Sequence, residues 1–558
     1  MNRSFLNLVF LILLLFISYA CQNSNKKTEQ VAEEVEEVKT PFLWENANIY
    51  FLLIDRFKNG DPSNDFSFER KQDGAVLRNF EGGDLRGIIQ KIEEGYFNDL
   101  GITALWFTPP VEQITSHTDE GTGKTYAYHG YWTRDWTNID PNYGTYEDLK
   151  ELVAKAHEKG IRVLMDAVMN HTGPVTPEDS QWPDEWVRTS PPCDFKDAKG
   201  TIDCTLVANL PDIRTESDEE VELPPFLVEK WKAEGRYEQE KKELDDFFAK
   251  TGYPRAPRYY LIKWLCDYIL ELGIDGFRVD TVKHTEAEVW GELFEEAKKA
   301  LAKWKAEHPT EKLDDQDFFM VGEVYFYSIQ QGRKFPMGGE GELTDFFSNG
   351  FKSLINFGLK WDVDKNMDSV YQVYSNILHG GELDGKSVVS YMTSHDDGSP
   401  YDKERVKPFE TATKLLLAPG ASQVYYGDEI ARKLVIEGAN GDANLRSFMK
   451  WDDVEAKKEL WNHWSKLGLF RKDHPALGAG VHTALNESPY MFKREYTDGE
   501  FNDKVVVVAE EVTEVDLINS FEEGAVVHDY YSGETVEVKE GKIAFSGPAR
   551  LRLLAVKN

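Results

Sequence analysis

The sequence predicts an α/β protein: a (β/α)8 TIM barrel with an inserted subdomain after its third strand, followed by an all-β sandwich. Three observations predict it. From Asn48 onward, short apolar runs alternate with amphipathic helical stretches over about four hundred residues, the rhythm of a parallel sheet with enough strands to close. Thr172 to Pro257 breaks that rhythm with a stretch rich in Pro, Asp and Glu that is too long for a loop. After Lys472 the helical patterns stop, and short strand-like runs follow with turns at Gly533 and Gly541.

The elements follow in order. Met1 to Ala20 reads as a targeting segment: Arg3 is its single charge, and the apolar run Phe5 to Tyr19 ends in small residues before Cys21. This resembles a bacterial lipoprotein signal, with Cys21 the acylated first residue of the mature chain; the alternative is an uncleaved transmembrane anchor, for which the run is a little short, and either way the chain is exported. Residues 21–40 are polar, Glu-rich and free of aromatic residues, as a flexible tether is. The barrel is assigned residues 41–171 and 258–476, the insert 172–257 and the sandwich 477–558. Strands are expected at Ile49–Ile54, Ala104–Phe107, Arg162–Val168, Gly276–Val279, Phe319–Val324, Val388–Met392 and Gln423–Tyr426, with a weaker one near Asp345–Phe347. Helices are expected over Leu85–Leu100, Thr145–Lys159 and Tyr259–Leu272, and a charged helical pattern over Leu227–Lys250. In the last region Val505–Ala509, Val526–Tyr531, Thr535–Val538 and Ala549–Val556 read as strands.

The 558-residue chain carries a formal net charge of −34 and is 13% aromatic. The charge excludes nucleic acid and an anionic membrane surface as partners, since both require basic patches. A membrane enters only through the lipid anchor, a neutral ligand remains compatible, and a monomer is expected. Of the four cysteines, Cys193 and Cys204 lie in a loop-like stretch and could pair, while Cys266 falls on an apolar helix face. No Cys/His spacing suggests zinc.

Four strand ends carry chemistry. Asp166, Asn170 and His171 close the third, and Arg278, Asp280, Lys283 and His284 the fourth. Glu323 closes the fifth, and His395 and Asp396 the seventh. Buried charge is costly unless paired, and an isolated Arg–Asp ion pair would not account for the other acidic strand ends. The C-terminal ends of barrel strands face one mouth, so these groups converge. Three carboxylates with an arginine, imidazoles and aromatic rings suit glycoside hydrolysis: one carboxylate attacks or stabilises a cationic sugar carbon, and another stays protonated to release the leaving oxygen.

In this order, and with GITALWFTPP from Gly101, YHGYW from Tyr128, NLPDI from Asn209 and YYGDE from Tyr425, these segments resemble the α-amylase family, glycoside hydrolase family 13. DRFKNGDPSND from Asp55 and EGGDLRGI from Glu81 resemble cyclodextrin glucanotransferases in particular. The resemblance implies Asp280 as nucleophile, Glu323 as general acid and then base, and Asp396 as the residue stabilising the distorted sugar. It implies that Arg278 keeps Asp280 ionised, that His171 and His395 bond sugar hydroxyls, and that Tyr131 stacks on the sugar beside His129 and Trp132. Lys283 and His284 fall on the leaving-group side, and Asp442 and Arg446 grip sugars further along the non-reducing side.

The resemblance also implies calcium. One site takes Asn170, Asp212 and the carbonyls of Ile202 and His284, beside a Cys193–Cys204 disulfide. A second takes Asn59, Asp61, Asn64, Asp65, the Gly82 carbonyl and Asp84. All of these donors are oxygens, as calcium requires. Two departures turn the expectation from cyclisation to hydrolysis: the chain stops after one sandwich, and its insert is long and charged from Thr215 to Lys250. The expected function is an exported, lipid-anchored, retaining α-glucan hydrolase acting on α-1,4 bonds. The alternatives are a transglycosylase of the same fold and an inactive glucan-binding module.

Overall fold

The computed structural model describes residues 40–119 and 121–556. The targeting segment, most of the tether and Cys21 lie outside the described residues. Eight parallel strands close the barrel: β1 (Asn48–Leu52), β2 (Ala104–Phe107), β3 (Arg162–Ala167), β4 (Gly276–Val279), β5 (Phe319–Gly322), β6 (Ser353–Asn356), β7 (Ser387–Tyr391) and β8 (Ala421–Tyr425). They pair in chain order, and β8 returns to β1 through Asn48 opposite Ser422. Each is four to six residues long and buried throughout, which is why most of them, β6 excepted, read as apolar runs without alternation. Gly276 starts β4 because a side chain there would collide with the Phe319 carbonyl, whose oxygen lies 2.4 Å from where a Cβ would stand.

The helices follow their caps. Asp84 caps α1 (Leu85–Glu93), and Thr145 with Asp148 forms a capping box on α2 (Tyr146–Glu158). The expected helix Leu85–Leu100 ends early, because Gly95 at φ +79° breaks it before a short turn, Tyr96–Asp99. Likewise Leu227–Lys250 is two helices, α3 (Pro225–Ala233) and α4 (Tyr237–Thr251), broken at Gly235 with φ +74°. Half-buried Lys230 holds this hairpin to the barrel side, 2.9 Å from both Glu112 and Asp135. Next come α5 (Pro257–Leu272) and α6 (Ala287–Glu307).

The sixth strand corrects the sequence reading. Phe346–Asn349 is a 3-10 turn capped by Asp345, whose carboxylate accepts from the Ser348 amide, and the strand lies downstream at Ser353–Asn356. The two phenylalanines are buried, but as part of a turn and not of a strand.

C-terminal to the barrel, β9 (Val481–Glu487), β10 (Tyr490–Asp498), β11 (Phe501–Val508), β13 (Val526–Asp529), β14 (Thr535–Glu537) and β16 (Arg552–Val556) form a six-stranded antiparallel sheet in the order β9-β10-β11-β16-β13-β14. A two-stranded sheet, β12 (Val512–Asp516) with β15 (Lys542–Ala549), accompanies it. Period two divides β11 between two cores: Val506 and Val508 pack with Val515, Ile543 and Phe545 between the sheets, whereas Val505 and Val507 join the core continuous with the barrel. The run expected as one strand, Ala549–Val556, is the end of β15 and all of β16. No described helix is long and apolar enough to cross a membrane.

Candidate active site

Asp280 stands just beyond β4 and Glu323 just beyond β5, so adjacent strand ends deliver the two carboxyls side by side. Arg278, one full strand period before Asp280, points to the same side. Its guanidinium is 1% exposed and lies 2.7 Å from Asp280, 3.0 Å from Asp166 and 2.9 Å from Glu323. One buried cation therefore serves three buried carboxyls, an arrangement the fork of an arginine can satisfy and a lysine cannot. Asp166 in turn accepts from the Tyr131 hydroxyl at 2.8 Å and the Trp106 indole at 3.1 Å.

The residue after Asp280 is strained. Thr281 sits at φ +47°, an uncommon conformation for a β-branched side chain, and its amide thereby donates to Glu323 Oε2 at 3.1 Å. Burial pushes the Glu323 carboxyl well above the usual carboxylate range, against the opposing pull of Arg278. Burial also acts on Asp396, yet His395, Arg278 and Arg446 outweigh it and hold Asp396 below its ordinary value. The site thus separates a carboxyl that keeps its proton from one that has lost it.

Every sugar-contacting residue expected from the sequence except Arg278 lines one cavity of about 730 Å3 with Asp280, Glu323 and Asp396. Arg278 lies beneath it. The Tyr131 ring stacks near His395 at 5.3 Å, and His129 lies edge-on to Trp132 at 4.6 Å. His171 donates through Nε2 to the Tyr131 carbonyl at 3.1 Å, and His284 through Nδ1 to the Thr201 carbonyl at 2.8 Å. Burial pushes the His395 imidazole down to about 4, so it is neutral near pH 7. Arg446 and Arg78 bracket Asp442 at 2.7 and 2.8 Å; against the cost of burial they hold its carboxyl down at about 2.

The cavity also takes in residues not singled out from the sequence: Arg78, Phe195, Val207, Tyr325 and Phe326. Tyr325 and Phe326 had a signal, since an aromatic pair follows Glu323 closely at a strand end. Phe195 and Val207 had none, because they come from the irregular insert.

Of the first implied calcium set, the segments carrying Asn170 and Asp212 lie side by side. His171 bridges to Asp212, the Ile213 amide donates to the Asn170 carbonyl, and Cys193 is joined to Cys204. The Asn170 carboxamide is buried with neither polar atom partnered. Burial raises the Asp212 carboxyl to about 9 although Arg188 lies 2.9 Å away, so a second cation would be compensated there. An orphaned carboxamide oxygen beside a costly buried carboxylate is a donor pair that fits calcium.

In the second set, Asn59 and Asn64 each present a buried, unpartnered carboxamide oxygen, and Asn59 lies beside Asp65 and Gly82. Asp84 behaves differently: its carboxylate already accepts the amides of Gly60, Asp61 and Gly87 as a helix cap. Asp61 turns to Ser63, whose hydroxyl lies 2.7 Å away. Among the described residues no group of three or more His, Cys, Asp or Glu forms a metal cage, and both implied sets lean on amide and backbone oxygens instead.

Convergent carboxyls around one arginine, a stacking ring and neutral imidazoles at the C-terminal mouth define a carbohydrate-active (β/α)8 barrel enzyme. Residues 51–480 match the family model "Alpha amylase, catalytic domain", and the chain belongs to the α-amylase family of glycoside hydrolases. It is 38% identical over 531 residues to the periplasmic alpha-amylase of Escherichia coli (strain K12), covering 85% of this chain and 73% of that protein. It is 27% identical to a cyclomaltodextrin glucanotransferase of Bacillus sp. (strain 6.6.3), covering 83% of this chain but only 58% of that one. In fold it resembles an Anoxybacillus alpha-amylase, with a TM-score of 0.64, 23% identity, and coverage of 93% of this chain and 100% of the other.

Proposed function

We propose that this protein is a retaining α-glucan hydrolase that cleaves α-1,4 bonds of starch-like polymers or maltooligosaccharides through a covalent glycosyl-enzyme. The observation carrying this reading is the single guanidinium shared by Asp280 and Glu323 on neighbouring strand ends, with opposed protonation at Glu323 and Asp396. Asp280 attacks the anomeric carbon as its bond to the leaving oxygen breaks, and Glu323 gives its proton to that oxygen. Glu323, now a carboxylate, takes a proton from water, which attacks the same carbon and frees Asp280 with the α configuration regenerated. Tyr131 supports the sugar ring, while His171, His395 and ionised Asp396 bond its hydroxyls.

Calcium would be held by Asn170, Asp212 and the Ile202 and His284 carbonyls, tying the insert to the fourth strand end. Asn59, Asn64, Asp65 and the Gly82 carbonyl would form a second site, with Asp61 and Asp84 at its edge. Export is supported by the relative named as periplasmic, and the anchor would be lipid on Cys21. Hydrolysis is preferred over transfer because the relative at 38% identity is named an amylase and the glucanotransferase matches at 27%. A product profile on amylose, pullulan and cyclodextrin tests the reading. Release of small reducing sugars supports it; large cyclic or elongated products would make the protein a transglycosylase, and binding without release an inactive module.

A further inference from the structure

Twelve of the fourteen tryptophans are buried and Trp451 is half-buried, but Trp361 is 57% exposed. An indole left in water forgoes a large share of its hydrophobic stabilisation. Trp361 belongs to a short helical turn, Leu359–Asp362, just after the C-terminal end of β6 and so on the rim that carries the active site. Its sequence neighbours anchor the turn that carries it. Leu359 is fully buried, and Asp362 accepts from Gln330 at 2.8 Å and from the Tyr374 hydroxyl at 3.0 Å. Lys360 is buried and bonds the Ser399 carbonyl at 2.8 Å and the Asp397 carboxylate, while its ammonium sits 4.1 Å from the centre of the Trp361 ring. The Lys360 ammonium thus covers one indole face, and the rest of the ring is presented to solvent.

A chain of contacts joins this platform to the cavity. Tyr325 and Phe326 line the cavity beside Glu323, and Phe357 packs on both, at 5.2 and 6.3 Å. Phe357 is 5.5 Å from Tyr391, whose hydroxyl bonds Asp397, the residue after Asp396 and the partner of Lys360. Phe326 is itself 69% exposed at φ +71°, a second aromatic turned outward at the barrel mouth. Phe326 thus exposes an aromatic ring beside the Glu323 end of the cavity, where the leaving group departs, and buried side chains connect it to the exposed Trp361. An uncharged ring fits a rigid indole on a protein whose net charge repels anions.

We propose that Trp361, approached across Phe326, is an outer glucosyl-binding platform for the reducing-end extension of a long α-glucan. The proposal rests on the function proposed above and adds to it a residue that separates long substrates from short ones. A preorganised aromatic of this kind supplies affinity without touching the reacting atoms, so it acts on KM and not on kcat.

The test compares wild type, Trp361→Ala and Trp361→Phe in the full chain on amylose and maltotriose. A second arm measures retention of the same variants, in a Glu323→Gln background, by an amylopectin gel. Expected is a rise of about tenfold in amylose KM for the alanine variant, ~1.4 kcal/mol of binding, with kcat kept within about twofold. Maltotriose, too short to reach the rim, should change by less than about twofold, and Phe should restore most of the loss. Weaker gel retention of the alanine variant should accompany these changes. Equal losses on both substrates, unchanged amylose kinetics, or an altered sedimentation coefficient marking a protein–protein contact would each overturn the platform. If wild type releases sugar from neither substrate, the proposed function fails instead, independently of Trp361.

Discussion

Glu323→Gln separates the proton donor from everything else the carboxyl does. The substitution keeps shape but not the match of donors to acceptors. Oε1 lies 2.9 Å from Arg278 and Oε2 accepts from the Thr281 amide at 3.1 Å, so two donors converge on two oxygens. An amide offers one oxygen and one NH2 group, leaving one donor facing another at a cost of ~1–3 kcal/mol in stability. Loss of the acid itself should lower kcat on starch by about 10²- to 10⁴-fold. The assay pairs starch with α-maltosyl fluoride, whose leaving fluoride needs little protonation, and adds azide, which attacks the glycosyl-enzyme without a general base. The variant should then turn over the fluoride within about tenfold of wild type, giving an α-azide, because only the proton-transfer steps have been removed.

The pH dependence follows from the same carboxyl. Burial raises Glu323, and a general acid must be protonated, so wild-type activity on starch falls as pH rises through that raised value. The alkaline limb should lie above the ordinary glutamate pKa of about 4.3 and vanish for the variant acting on the fluoride. Folding stability carries the same sign: the folded state retains a proton that the unfolded chain has released, so Glu323's contribution declines as pH rises between the two values. Equal loss on fluoride and starch, with or without azide, would refute the assignment of Glu323 as proton donor.

Other outcomes are expected. Asp280→Asn should lose activity on both starch and the fluoride by several orders of magnitude, since no leaving group substitutes for a nucleophile; near-normal turnover by the folded variant would remove that role. Chelation should lower melting temperature and activity together, the folded state losing roughly 3–4 kcal/mol of stability where calcium had been at a hundred- to thousandfold excess over its Kd. Asp212→Ala should reproduce both effects, whereas Asp61→Ala should touch mainly stability; protein free of calcium by elemental analysis, with melting and rate unmoved by chelator, would contradict this. Cys21→Ser should abolish lipid labelling in cells, and labelling that persists would show another attachment.

Where the sequence was legible, one physical cause dominated. Barrel strands are buried on both faces, so GFRV, FMVG and ALWF stand out as apolar runs, and charge beside them marks the mouth. Asp280, Glu323 and Asp396 needed only that rule and their order to be placed together. Strand β6 was illegible because SLIN is half polar, while the more apolar Phe346 and Phe347 form a capped turn beside it. The missed strands β9, β10, β12 and all but the last residue of β15 lie in an antiparallel domain with many exposed positions, where polar side chains dilute the alternation. Phe195 and Val207 reach the cavity from the insert, whose path depends on tertiary ties such as Lys230 with Glu112 and Asp135. Local periodicity carries no trace of such ties. Trp361 is the opposite case: it sits in an ordinary helical turn, and only its exposure in the folded protein marks it.

The most direct examination of retaining α-glucan hydrolysis is proton NMR of the anomeric region during the first turnovers of maltooligosaccharide, before mutarotation. Attack by Asp280 followed by water activated at Glu323 inverts the anomeric carbon twice, so fresh reducing ends should appear as the α anomer and drift toward equilibrium. Initial accumulation of the β anomer would mean a single displacement by water, leaving Asp280 without the nucleophilic role proposed for it.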